Sequence, residues 1–350
     1  MKVLYINYVD FNKVNSGSSV RPKEMYEAFN NVGYEVTMLS GLQNRFKERW
    51  SNSCKFYKEI RNNKYDICYV ESPSGPIFNI CDHLLLMYIS KVKKIPIGFF
   101  YRDAFWKFAK WYNVGKVKKI IIDLMHKFDW MILKATCTKI YFPSETMAGL
   151  FEFKNKGVLF PGSDIKKSES KEYKDYKNCI YVGGVSERYG TEILLKAFEI
   201  INNTENKINL TLICREENYI IDKYKKYDWL KLYTNVSGAD KLRPHYENSD
   251  LAIIPFKRDV YMDFAIPIKM FEYIANGMPI VATNCIELSK FISENNVGII
   301  TDDNSESLAK GILKFYDMSS DQKEQLYSKI QKSAQENSWE KRVEVIKELC

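Results

Sequence analysis

Two charged residues, Lys269 and Glu272, interrupt the apolar stretch AIPIKMFEYIANGMPIVATN, residues 265–284. A helix that begins near Pro267 places them three residues apart, on one face of its first turn. A Lys near a helix N-terminus opposes the macrodipole, and a bound anion would remove that objection. The Lys could then hold a phosphate while the Glu accepts hydrogen bonds from sugar hydroxyls. The pair therefore indicates a phosphosugar site, and a pair solvated on one side of the helix is the alternative.

The elements that position this pair follow a repeating strand and helix order. KVLYINYV reads as a buried strand, NSGSS as a loop, and a helix opens at Pro22 and closes at Gly33 before the strand YEVTMLS. Such a βαβ unit implies a parallel sheet. The charged segment 165–177 marks a connection, after which the alternation restarts at CIYVGG. We therefore expect an α/β protein with two doubly wound halves and a ligand-binding cleft between them.

Composition excludes several classes of protein. The 350 residues suit two domains, and 45% hydrophobic with 27% charged residues are typical of a globular chain. Eight Cys without a CxxC pair and three His favour neither a zinc site nor a disulfide framework, so reduced thiols and a cytoplasmic location are expected. The sequence contains no run of about 18 apolar residues, so no membrane-spanning helix is predicted. The net charge of +8 suits anionic partners in general.

Beyond these features, the order of several motifs resembles that of GT-B glycosyltransferases, in particular glycosyltransferase family 4 and its bacterial polysaccharide relatives. The family's donor signature reads here as Glu272, Tyr273, Gly277 and the run PIVA at 279–282. YVGGVSERYGTEILLKAF is similar to the start of the family's second domain, YENSDLAIIPF to the strand before the donor loop, FPGSD to the interdomain crossing and SWEKRVEVIKEL to the terminal helix.

The resemblance implies a GT-B fold of two Rossmann-like domains. These are an acceptor-binding domain at 1–164, a nucleotide-sugar-binding domain at 165–335 and a terminal helix at 336–350 that packs back toward the first domain. It implies a hexosyltransferase-like enzyme that needs no metal or other cofactor. Such an enzyme moves a sugar from a nucleoside-diphosphate-sugar to a lipid-linked or saccharide acceptor in bacterial surface polysaccharide biosynthesis.

The donor site departs from the family pattern in two ways. Where the family has the first Glu of E-x7-E, this chain has Phe264, with Asp263 beside it as a candidate contact to the donor sugar. Gly184 and Tyr189 stand where the family has the Arg and Lys that neutralise the diphosphate. A diphosphate leaving group needs such charge when no metal supplies it.

Three cations could replace the missing pair. They are Lys269, Arg188 and Arg215. Lys269 is the preferred residue, and ordinary surface solvation is an equal explanation of the two arginines.

On the acceptor side, Asp103 follows the strand GFFY and could take the proton of an acceptor hydroxyl. Capping of the next helix is an equal alternative. Gly17 and Ser18 match the family's first glycine loop, which lets the backbone approach the sugar or acceptor; a simple turn is the competing interpretation.

Residues 105–134 interleave Lys with Trp and Phe. This pattern is typical of an interfacial helix on anionic lipid and predicts a peripheral protein at the inner face of the plasma membrane. The residues predicted to face the membrane are Trp106, Lys107, Lys110, Trp111, Lys118 and Lys119. An ordinary amphipathic helix pair is the alternative.

Two other functions are open at this point. A nucleic-acid-binding protein would use the same basic aromatic segment, although it leaves residues 265–284 unexplained, so no nucleic acid is expected as partner. A nucleotide-sugar epimerase of GT-B type is the other alternative. An NAD-dependent enzyme is disfavoured, because the first strand is followed by YVDFNKVNSGSS, which lacks G-x-G-x-x-G.

Overall fold

The structure is a computed structural model that describes residues 1–11, 17–164, 176–216 and 219–349. The chain divides into two compact units, one formed by Met1–Pro161 with Trp339–Cys350 and the other by Gly162–Ser338. The predicted domain boundaries, after residues 164 and 335, each lie three residues from these limits. The predicted connection at 165–177 falls largely on residues 165–175, which lie outside the described part of the chain.

The first unit contains a parallel sheet of six strands in the order β2-β1-β3-β4-β5-β6. Its strands are β1 Lys2–Ile6, β2 Glu35–Leu39, β3 Ile67–Glu71, β4 Ile97–Phe100, β5 Lys139–Phe142 and β6 Lys156–Val158. Its helices are α1 Gly17–Asn31, α2 Phe46–Asn62, α3 Ile80–Met87, α4 Phe105–Phe108, α5 Lys116–Thr136, α6 Glu145–Gly149 and the C-terminal α15 Trp339–Lys347, and a π-helical turn spans Tyr88–Val92.

The helices of this unit form two layers. Right-handed connections between parallel strands place α1 on one face of the sheet and α2, α3 and α5 on the other. The observed contacts follow this division, since α1 packs on α15, α2 on α3 and α3 on α5. Strands covered on both faces are mainly apolar, which explains the fully buried runs ICYV in β3 and IGFF in β4.

The predicted start of the first helix is wrong. The helix begins at Gly17 rather than Pro22, so Gly17 and Ser18 lie in its first turn and not in a loop. Contacts elsewhere in the unit extend the helix: buried Arg21 donates through Nε to Glu71 at 3.0 Å, and the hydroxyl of Tyr5 donates to the Pro22 carbonyl at 2.6 Å. A proline this close to the helix start removes one backbone hydrogen bond, which these contacts offset.

The second unit contains another parallel sheet of six strands, in the order β12-β11-β10-β7-β8-β9. Its strands are β7 Asn178–Val182, β8 Asn209–Cys214, β9 Leu230–Thr234, β10 Leu251–Ile254, β11 Ile280–Thr283 and β12 Gly298–Thr301. Its helices are α7 Thr191–Asn202, α8 Tyr219–Asp222, α9 Ala239–Glu247, α10 Val260–Phe264, α11 Ile268–Ala275, α12 Ile286–Asn295, α13 Ser305–Tyr316 and α14 Ser320–Glu336, and a 3₁₀ turn spans Glu187–Tyr189.

The core of this unit forms where α7 and α13 pack on the sheet. Leu194, Phe198 and Ile312 from these helices are fully buried against Leu212 and Ile253 of β8 and β10. Each unit is thus a doubly wound α/β structure, which confirms the predicted fold class.

Candidate functional site

The strand order of the second unit creates a switch point between β7 and β10. From β7 the chain adds β8 and β9 on one side and then β10, β11 and β12 on the other. The loops that leave β7 and β10 therefore diverge at the carboxyl edge of the sheet, where ligands bind in open α/β folds. Gly183 and Gly184 leave β7 at this edge, and Pro255 and Phe256 leave β10.

Lys269 lies at this switch point. It is the second residue of α11, and its Nζ atom lies 4.2 Å from the ring centre of Tyr181, 5.3 Å from that of Phe256 and 5.7 Å from that of Tyr189. The side chain is partly accessible, but Nζ itself is buried and has no hydrogen-bond partner among the described residues. Burial lowers the pKa of this amine to about 7. A buried amine without a partner is costly, and this favours a role for the cation in binding an anion.

The glycine turn after β7 leaves room for this amine. A Cβ atom at Gly183 would collide with Nζ of Lys269, and one at Gly184 would collide with the ring of Tyr189. The hydroxyl of Tyr181 donates to the Gly184 carbonyl at 2.6 Å and fixes the turn. A side chain at either position would therefore displace the Lys269 amine or the Tyr189 ring, and the glycine backbone is open to the close approach of a ligand.

Glu272 lies one turn beyond Lys269 on α11 and is half-buried. Burial raises the pKa of its carboxyl group and Asp164 adds to the increase, while the charge of Lys269 opposes it. The predicted spacing is thus confirmed, because helix α11 brings an amine and a carboxyl group together at the carboxyl edge of the sheet. Together they can bind an anion and a hydroxyl group.

The other predicted donor residues lie at different distances from this centre. Arg188 stacks on Tyr189, with its guanidinium 4.6 Å from the ring centre and Nη2 donating to the hydroxyl at 3.0 Å, so it borders the same aromatic cluster. Arg215 is exposed directly after β8. Asp263 is held by Nε of Arg258 at 2.9 Å and by the backbone N–H of Ile286 at 3.2 Å. Its contacts are those of a structural carboxylate at the start of α12.

In the first unit, Asp103 lies three residues beyond β4. Its Oδ1 atom accepts hydrogen bonds from the backbone N–H groups of Ala104 and Phe105, at 2.7 and 3.0 Å. Asp103 thus caps two backbone N–H groups at the start of α4, although Ala104 occupies the N-cap position, and catalysis by this carboxylate stays a prediction. Gly17 and Ser18 are described only by their backbone, as the first residues of α1.

One predicted membrane residue is wrong. Trp106 is 7% exposed and stacks on His126 with ring centres 3.8 Å apart, inside the unit. The indole of Trp106 faces the interior because α4 is only one turn long and its apolar side packs against α5. Trp111 is 47% exposed, and the four predicted lysines, Lys107, Lys110, Lys118 and Lys119, are all exposed.

Two groups of site residues escaped sequence reasoning. The first is the aromatic cluster around Lys269, whose members come from three separate segments. The second is a buried network at the end of β3, where Glu71 binds Arg21 at 3.0 Å, the Tyr69 hydroxyl at 2.7 Å and Arg102 at 3.5 Å. The available signal for the second was the charged residue Glu71 at the end of an otherwise apolar strand.

The fold is that of GT-B proteins. Solved structures of similar fold include a glycosyltransferase of Rickettsia africae, with a TM-score of 0.68, 14% identity and 99% of this chain and 98% of that one covered. Another is Alr3699/HepE of Anabaena in complex with UDP, with a TM-score of 0.62, 13% identity and 99% of both chains covered. At these identities the likeness concerns the fold.

The sequence comparison matches part of the chain to known glycosyltransferases. Residues 176–318 match the family described as "Glycosyl transferases group 1", and this segment lies within the second unit. The chain is 44% identical over 48 residues to the putative teichuronic acid biosynthesis glycosyltransferase TuaH of Bacillus subtilis. The aligned segment covers 13% of this chain and 12% of that protein. The chain is 23% identical over 191 residues to an uncharacterized glycosyltransferase of Haemophilus influenzae, which is 51% of each.

These matches confirm the predicted resemblance to GT-B glycosyltransferases and do not favour the nucleic-acid or epimerase alternatives. The chain spans about half the length, or less, of the curated relatives it matches. Within the described ranges, no helix combines the length and apolar character needed to cross a bilayer.

Proposed function

We propose that the chain transfers a hexose-like sugar from a nucleoside-diphosphate-sugar to a lipid-linked or saccharide acceptor. The observation that carries the proposal is the buried amine of Lys269, which has no hydrogen-bond partner in the described residues and lies at the switch point beside Gly183. A similar fold that binds UDP supports a nucleotide-sugar as donor.

In this proposal Lys269 binds the diphosphate. Negative charge builds up on the diphosphate as the bond to the sugar breaks, and a cation in a site shielded from water stabilises that charge far more than one in bulk water. The rings of Tyr181 and Phe256 hold the amine in place, and the absence of a side chain at Gly183 leaves space for phosphate oxygens. This chemistry would replace the missing Arg and Lys of the family and would need no metal.

Glu272 binds the ribose in the same scheme. Its carboxyl group lies one helical turn from the amine, a spacing that suits a nucleoside whose ribose adjoins its diphosphate. Arg188, Gly184 and Arg215 are secondary donor residues, in that order, because Arg188 and Gly184 both contact Tyr189 beside Lys269. Asp263 would contact the donor sugar only by exchanging its hydrogen bond with Arg258 for one with a sugar hydroxyl.

The proposed acceptor residues come from the other unit of the chain. Asp103 is the candidate base, and Gly17 with Ser18, in the first turn of α1, are the candidate acceptor contacts, all in the first unit. A role in bacterial surface polysaccharide synthesis draws support from the match to TuaH, a putative teichuronic acid biosynthesis glycosyltransferase. A location at the inner face of the plasma membrane is part of the same proposal.

A thermal-shift screen tests the donor proposal. The purified chain is incubated with UDP-, GDP-, dTDP- and ADP-sugars, and we expect one nucleotide class to raise its melting temperature. Lys269→Met should abolish the shift, whereas Lys310→Met, which removes an exposed amine of α13, should preserve it. No shift with any donor would refute the proposal.

A further inference from the structure

The exposed apolar residues of this protein are concentrated on one layer of the first unit. Of the twenty large hydrophobic residues that are exposed in the described part of the chain, fourteen lie between residues 46 and 131. They belong mainly to α2, α3 and α5, which cover the same face of the sheet. Singly exposed apolar residues need no explanation, but a concentration of this kind marks an interaction surface.

Helix α5 supplies most of this surface. It buries His126, Asp129 and Leu133 against the unit, and the opposite side of the helix carries an apolar row. The row consists of Val117, Ile120, Ile121, Leu124, Phe128 and Met131, which are between 40% and 72% exposed. These positions repeat at three or four residues and therefore form one stripe along about four turns.

Helix α3 and the residues before it extend the stripe sideways. Phe78, Ile80 and Leu84 are 43%, 50% and 59% exposed. Between the two helices lies a groove of about 300 Å³, lined by Ile77, Phe78, Ile80, Leu124, Met125 and Phe128 with His83. The stripe of α5 with these three residues is called the apolar face below.

Lysines border the apolar face. Lys116, Lys127 and Lys134 are exposed and separated by eleven and seven residues, close to whole numbers of helical turns, so they form a row along one side of the stripe. Lys118 and Lys119 add two exposed charges in the first turn. Of the two acidic residues of α5, Asp129 is buried and bound to His83 Nε2 at 2.7 Å and to the Ile77 N–H at 2.9 Å. Within α5, Asp123 is thus the acidic residue that offsets the positive charge of these lysines.

We propose that the apolar face docks on an anionic lipid bilayer, with the stripe inserted among the acyl chains and the lysine row at the level of the headgroups. An apolar stripe edged by cations fits a negatively charged membrane surface in both respects. A second copy of the chain fits less well, because a two-fold contact through this face would bring two lysine rows to one interface. This proposal assigns a lipid partner to the transferase, and it rests on the proposed transferase function.

The residues that carry this proposal differ from those of the sequence prediction. Trp106 packs inside the unit, and the apolar groups of α5 that face outward are those of its stripe, whereas its tryptophan, Trp130, is half-buried. Lys118 and Lys119 keep their predicted role, while Lys116, Lys127 and Lys134 are added to it.

Flotation with lipid vesicles tests the proposal. The full chain is mixed with vesicles of equal parts phosphatidylglycerol and phosphatidylcholine, or of phosphatidylcholine alone, and we expect flotation only with the anionic vesicles at low salt. Lys127→Gln with Lys134→Gln should weaken the binding by roughly thirtyfold. The matched pair Lys310→Gln with Lys329→Gln, exposed on α13 and α14, should change it less than the Lys127 and Lys134 pair does.

The apolar contribution has its own variants. Ile120→Glu with Leu124→Glu should abolish flotation, whereas Ile200→Glu, at an exposed position on α7, should not. All variants should keep the thermal shift produced by a donor nucleotide, which separates a failure of docking from a failure of the donor proposal. The docking proposal is overturned if the unaltered chain does not float with anionic vesicles, or if the face variants float as well as it does. It is equally overturned if those variants dissociate a dimer of the unaltered chain and leave flotation intact.

Discussion

The Nζ atom of Lys269 occupies the space that a side chain at Gly183 would need. The amine and the glycine belong to different segments, and they meet because β7 and β10 are neighbours at the switch point of the sheet. The glycine turn therefore does two things at once. It gives the amine room, and it leaves the backbone open to an incoming phosphate.

Gly183→Ala should displace the amine and weaken donor binding by tenfold or more, because the new Cβ atom and Nζ cannot both fit. The φ angle of 156° at Gly183 adds strain. Gly238→Ala is the matched control, since Gly238 has a φ of 90° but no atom within 4 Å of an added Cβ. The control should lose stability and keep donor affinity, as measured by titration with UDP-sugar. Equal affinity in both variants would show that the contact between Gly183 and Lys269 is unimportant.

Lys269→Met should stabilise the chain in the absence of donor. The unfolded chain keeps the proton of Lys269 up to its ordinary pKa of 10.5, whereas the folded chain releases it near pH 7. Between these values the unfolded state binds more protons, so the free energy of unfolding of the unaltered chain rises with pH. The cost of the buried charge is full below about pH 7 and amounts to at most about 5 kcal/mol, at about 1.4 kcal/mol per pKa unit.

Urea unfolding at two pH values checks this prediction. The free energy of unfolding of Lys269→Met should exceed that of the unaltered chain most at or below neutral pH. The difference should shrink as the pH approaches the pKa of free lysine. Lys310→Met, at an exposed position, should show no such trend. A variant that is less stable at neutral pH would contradict the uncompensated burial of the amine.

Glu272→Ala should remove the preference for ribose. We expect the unaltered chain to bind UDP roughly tenfold more tightly than 2′-deoxy-UDP, since a lost hydrogen bond to a charged group costs about 1.5 kcal/mol or more. The variant should bind both nucleotides with similar affinity in calorimetric titration. Glu324→Ala, on the exposed side of α14, should retain the preference. If Glu272→Ala still prefers ribose, another residue holds the sugar.

Asp103→Asn separates catalysis from capping. The amide oxygen can still accept from the N–H groups of Ala104 and Phe105, so folding should be unchanged, whereas Asp103→Ala should cost about 1 kcal/mol. If Asp103 is the acceptor base, Asp103→Asn should lower kcat by about a hundredfold or more. A stable Asp103→Asn variant with full turnover would leave capping as the role of this residue.

The parts of the structure that sequence predicted well depend on local pattern. The strands are short apolar runs, and the three-residue spacing of Lys269 and Glu272 fixed their common helix face. Parts that depend on distant partners were missed. The turn of α1 before Pro22 is held by Glu71, fifty residues away from Arg21, and no local signal marks it. Likewise, Trp106 and the α5 stripe are both apolar, and only the packing of α4 and α5 decides which of them faces outward.

Calorimetric titration of the donor nucleotide in buffers of different ionisation enthalpy tests the central claim most directly. If Lys269 binds the diphosphate, its pKa rises from about 7 on binding, so the unaltered chain should take up a proton near or above neutral pH, and its affinity should fall as the pH increases. Lys269→Met should bind at least tenfold more weakly and take up no proton at this position. Tight binding by Lys269→Met with the same proton uptake as the unaltered chain would contradict the account.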